Sequence, residues 1–145
     1  MLKALGSGLV GACALTLIHE TARRFIKDAP RMDVVGMRAI AKTMRAVDVE
    51  PPTPLHEAAL VGDIVSNSLF YSLVGAGDRA DALRNGALLG LAAGLGAVFL
   101  PEPLGLGRQP TERAPATQAM TVAWYLAGGL AAAAAYRAFS ADDED

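Results

Sequence analysis

The chain has 145 residues, one cysteine and a formal net charge of −2, which points to a single domain and excludes an internal disulfide. The acidic balance and the lack of interleaved basic and aromatic residues argue against a nucleic-acid partner. The hydrophobic share of 52% is ordinary for a globular protein, but it is concentrated in charge-free runs such as Asn85 to Leu100. A helix that crosses a bilayer needs about 20 mostly apolar residues. The pattern therefore predicts an all-α fold: a four-transmembrane-helix bundle with a basic amphipathic interfacial helix between helices 1 and 2. One integral membrane domain over 1–139 is expected, with 140–145 as an acidic disordered tail.

The first apolar run, Ala4 to Ile18, follows Lys3 and has the look of a signal peptide. It continues into His19, Glu20 and Thr21 without a small-residue cleavage site, so the expectation is a retained helix over about 2–27. Cys13 lies inside it as a small packing residue. Next comes the stretch "DAPRMDVVGMRAIAKTMRAVDVEPP", which predicts the interfacial helix over about 30–47. Asp28 suits the N-cap and Pro30 the first turn. Arg31, Arg38, Lys42 and Arg45 share one face; Met32, Met37, Ile40, Met44 and Val47 share roughly the opposite one, with Val34 and Val35 off the pattern. Such a helix lies in the membrane interface.

The second span is expected over about 54–74, with Thr53 as cap and Pro54 at the first helical position. At 100° per residue His56, Asp63 and Asn67 fall on one face, flanked by Ser66, Phe70 and Tyr71. Asp63 lies about 14 Å along the helix, near the midplane. A charged carboxylate there costs ~2.5–3.5 kcal/mol on insertion scales, so it should face the bundle interior, with Asn67 as its hydrogen-bond partner. Three roles stay open for the group Asp63, Asn67, Ser66 and Tyr71: a polar contact between helices, a proton or cation site, or part of a ligand or catalytic pocket.

The remaining spans are expected over about 81–100 and 115–139, joined by a Pro- and Gly-rich loop outside the hydrocarbon. Small residues four apart should carry the helix packing: Gly86, Gly90 and Gly94; Ala4, Gly8 and Ala12; and more loosely Gly128, Ala132 and Ala135. The same faces also permit a homo-oligomer. Phe25, Phe99, Trp124 and Tyr125 suit an interfacial belt at the loop end, and Tyr136 and Phe139 one at the other.

Two polar groupings collect at the loop end. His19, Glu20, His56, Glu57 and Glu102 are ligand types that Zn, Mn or Fe accept. No HExxH or CxxC pattern accompanies them, and Arg23 and Arg24, four residues after His19 and Glu20, explain part of the set as ordinary pairing. No cofactor is expected. Arg31, Arg38, Lys42, Arg45, Arg108 and Arg113 form a set suited to lipid headgroups, worth about 1 kcal/mol per residue near an anionic surface. With four crossings, the side holding both long connections has nine Lys or Arg and the other has four, which favours a cytoplasmic location for those connections and an outer location for the termini.

The pieces His19 to Phe25, Asp28 to Met37, Gly62 to Gly75 and Leu104 to Gly129 together resemble a group of small bacterial integral membrane proteins with no known activity. The resemblance covers most of the chain. It implies an inner-membrane location and transfers no catalytic role. The function expected first is a non-enzymatic lipid- or protein-binding module, with anionic membrane lipids as partners. A proton- or cation-coupled transporter or channel using Asp63 comes second. A membrane enzyme built on the His and Glu residues comes third.

Overall fold

The computed structural model describes residues 1–109 and 114–141. Arg113 and the end of the acidic tail, 142–145, lie outside the described residues. Five α-helices and no strand occur among the described residues: α1 (Leu2–Phe25), α2 (Met32–Ala46), α3 (Leu55–Ser72), α4 (Ala82–Phe99) and α5 (Pro115–Phe139). A 3-10 turn, Leu73–Gly75, extends α3, and another, Arg79–Asp81, leads into α4. Four segments are long and apolar enough to cross a membrane: Leu2–Phe25, Leu55–Gly75, Arg79–Phe99 and Pro115–Phe139. Their outward faces carry exposed Leu9, Leu17, Val61, Val65, Leu69, Leu88 and Leu95. An apolar exterior of this extent suits hydrocarbon rather than water.

The helices pack in the order α3, α1, α5, α4. The closest pairings are α4 with α5, α1 with α5 and α1 with α3. Small residues make these pairings possible. Gly86, Gly90 and Gly94 are all buried, and each lies directly against the α5 backbone at Gly129, Leu126 and Val122. Gly8 lies on the α3 backbone at Ser68 and Ser72, and Gly11 meets Gly128 of α5. The three faces expected to pack are therefore used within the chain. Between lipid-exposed helices, such close backbone approach replaces much of the missing hydrophobic drive.

The two ends of the bundle are distinct. At one end Gly75 lies beside Ala4 and Tyr136, and Arg79 Nε donates to the Arg137 carbonyl (3.1 Å). At the other end, Thr117 Oγ1 donates to the Asp28 carbonyl (2.9 Å), and the Arg31 N–H donates to Gln109 Oε1 (2.5 Å). The α1–α2 connection is thus tied to the start of α5.

Several local expectations change. Asp28 does not cap α2; its N-cap is Arg31, and the Asp28 carbonyl is engaged by Thr117. Thr53 does not cap α3, whose N-cap is Pro54 with no side-chain cap bond. Val35, off the expected apolar face, is the buried residue of α2, because α2 lies against α3 rather than flat on a surface. Gly36 faces Ala59, and Gly62 faces Ile40. Tyr125 is not a belt residue. It is 6% exposed, in the core with Leu15, Tyr71 and Val74.

Candidate functional site

Asp63 and Asn67 are one helical turn apart on α3. Asn67 Nδ2 donates to Asp63 Oδ1 (2.9 Å) and to the Asp63 carbonyl (3.0 Å). Ser66 Oγ donates to the same carbonyl (3.2 Å), so it points along the helix rather than to the carboxylate. One turn beyond Asn67, the buried Tyr71 hydroxyl donates to the Tyr125 carbonyl of α5 (2.8 Å). Of the three residues grouped with Asp63 (Asn67, Ser66 and Tyr71), Asn67 alone holds the carboxylate. Tyr71 ties α3 to α5.

The Asp63 side chain lines a cavity of about 40 Å³ between α1, α2 and α3. That volume has room for about two waters. α1 contributes Thr16, His19, Glu20 and Arg23; α2 and its approach contribute Pro30, Met32, Asp33 and Gly36; α3 contributes His56, Ala59, Leu60 and Asp63. Asp63 of one grouping read from the sequence and His19, Glu20 and His56 of the other therefore meet in one space, while Asn67, Ser66, Tyr71, Glu57 and Glu102 do not line it. Since Met32 and Asp33 stand at its wall, the cavity lies beneath the start of α2, with Asp63 about two turns into α3.

Charge is unevenly compensated around this cavity. Arg23 bridges Glu20 (2.6 Å) and Asp33 (3.5 Å), and Arg31 pairs with Asp33 (2.9 Å). Burial pushes the Asp33 carboxyl up. The Arg31 hydrogen bond and charge, the Val34 N–H and Arg23 outweigh that and hold it below its ordinary value. Among the described residues no ion pair reaches Asp63, and its side-chain hydrogen-bond partner is the Asn67 amide. His19 Nε2 and Thr16 Oγ1, both at the cavity, are buried without a hydrogen-bond partner. Trp124 and Tyr125 hold the His19 ring edge-on, with centroids 5.1 and 5.8 Å away. Orphaned polar atoms on a cavity wall are satisfied by water or a small ligand.

The other expected residues are dispersed. Glu57 is exposed and Glu102 pairs with Arg108 (2.5 Å). Among the described residues no three His, Cys, Asp or Glu side chains are grouped to hold a metal ion. Arg38 donates to the carbonyls of Leu106 (3.1 Å) and Arg108 (2.8 Å), and Lys42 to that of Leu104 (2.6 Å). These cations fasten the loop after α4 onto α2. Gly105 and Gly107, both at φ +67°, give that loop its turns. Arg45 is exposed at the C-terminal end of α2. Thr16, Arg23 and Asp33 were not among the expected site residues. Asp33 is the one acid within α2, and that contrast is the sequence signal that singles it out.

These features define an all-α bundle of four candidate membrane spans with a polar cavity at one end. Comparison with protein-family models, curated proteins and solved structures found no match.

Proposed function

We propose that the chain is a non-enzymatic multi-pass protein of a bacterial inner membrane, working as a small proton- or cation-coupled transporter or channel with Asp63 as its exchange site. One observation carries this reading: Asp63 opens onto a cavity large enough for water while no ion pair compensates it among the described residues. Carboxylates within spans are rare and mark ion or proton pathways when they face water-filled space. Glu20 and Asp33 have Arg partners, which leaves Asp63 as the acid best suited to trade a proton or cation. His19 and His56 line the same cavity, and their ring nitrogens can relay a proton or share a cation. The nine Lys and Arg on the side of the two long connections favour a cytoplasmic mouth for the cavity, with the termini outside.

Reconstitution in proteoliposomes tests this. Asp63→Asn keeps the shape and the Asn67 contact but removes the exchangeable charge. The wild type should show pH-dependent flux, and the variant, inserted to the same level, should show none. Equal flux from both proteins, or none from the wild type, contradicts the proposal.

A further inference from the structure

α3 and α4 are consecutive in the chain but touch little; each leans instead on α1 or α5. Between them runs a groove of about 520 Å³ with Tyr125 at its base. Phe70 forms the α3 wall together with the polar Ser66 and Asn67, and Ala93 and Ala97 keep the α4 wall low. Leu106, from the loop that Arg38 and Lys42 fasten, closes the end nearest α2. Leu106 also lines a second recess of about 560 Å³, which holds Arg38, Lys42 and Arg45. A mainly apolar trough within the spans thus adjoins a basic hollow at the membrane surface. A polar core would not suit the trough, and an acidic headgroup suits the hollow.

We propose that this composite surface binds one anionic phospholipid, with an acyl chain in the α3–α4 groove and its phosphate in the α2 recess. The occupant follows from charge and position. The trough lies between two membrane spans, where lipid chains are the surrounding solvent. The hollow supplies three cations and no carboxylate among its lining residues. Arg38 and Lys42 each spend donors on loop carbonyls, but a guanidinium has five N–H groups and an ammonium three, so both retain donors for a phosphate. The groove is a separate space from the Asp63 cavity, which lies between α1, α2 and α3, but the two share a wall: Met32 lines both, and Asn67, which holds Asp63, lines the groove.

The test uses the full chain in nanodiscs containing photoactivatable phosphatidylglycerol or phosphatidylcholine, with the diazirine in the acyl chain. Cross-linked residues are mapped by mass spectrometry. Label should concentrate on Phe70 and on Ala93 to Ala97, more from phosphatidylglycerol than from phosphatidylcholine. Ala93→Leu with Ala97→Leu fills the trough and should remove that label while leaving label on the outward Leu88. Arg45→Glu, an exposed change that leaves the trough intact, should lower the phosphatidylglycerol preference about fivefold. Equal labelling by the two lipids in the wild type overturns the proposal. Undiminished groove label in the filled variant does so too. Groove residues protected from both probes, with a dimer by native mass spectrometry that the filled variant loses, assign the surface to a second copy of the chain instead.

Discussion

Asp33 receives both arms of the Arg31 guanidinium at 2.9 Å and stands 3.5 Å from Arg23 of α1, so one carboxylate joins α2 to α1 beside the cavity. Its folded pKa lies below the ordinary carboxylate value of about 4. The sign follows: the stabilisation is fully present above that ordinary value and is lost as pH falls through the lower folded value. Hydrogen bonds to charged groups contribute ~1.5–3 kcal/mol, so Asp33→Asn should destabilise the protein by about that at neutral pH. It should also flatten the acid limb of the unfolding midpoint measured against pH in detergent. Matching acid limbs in the two proteins would show that Asp33 does not link α2 to α1. At this scale the sequence revealed Asp63 and Asn67 together, because they are four apart on one helix and their bond is local. It did not reveal that Asp33 faces Arg23 or that Thr117 holds Asp28. Those contacts cross 10 and 89 residues of chain and depend on how the helices dock.

Among the elements, α5 was read to its ends, Pro115 and Phe139, because a Pro at its start and a polar end to its apolar run mark it. The ends of α1 and α2 moved by one or two residues where docking, rather than capping side chains, stops the helix. The glycine faces were legible since four-residue spacing survives any docking geometry; their partners were not. Gly90 gives the sharpest test of the α4–α5 contact. A Cβ there would stand 2.6 Å from Leu126 Cα and 2.7 Å from the Tyr125 carbonyl oxygen, both backbone atoms of α5 that cannot turn aside. Overpacking of this kind costs about 1–3 kcal/mol. Gly90→Ala should therefore lower stability by that amount in a reversible unfolding assay in mixed micelles, whereas Gly77→Ala, in the α3–α4 connection, should leave it nearly unchanged. Equal effects at the two positions would place the α4–α5 packing elsewhere.

Among the described residues, four candidate spans bring α2 and the start of the loop after α4 to one end, and the start of α1, the end of α5 and the α3–α4 connection to the other. The four helices long and apolar enough to cross a membrane were legible from apolar length alone. That Asp63 shares one cavity with His19, Glu20 and His56 was not, because it requires α2 to fold back over α3. The functional account rests on that cavity admitting water from the α2 end. Thiol accessibility in sealed membrane vesicles of each orientation measures this most directly. In a Cys13→Ser background, Asp63→Cys should react with a small charged methanethiosulfonate from the side on which Asp48→Cys reacts, and not from the side on which Asp78→Cys reacts. An Asp63→Cys thiol that stays unmodified from both sides while both controls react, or that reacts from the Asp78 side, would contradict it.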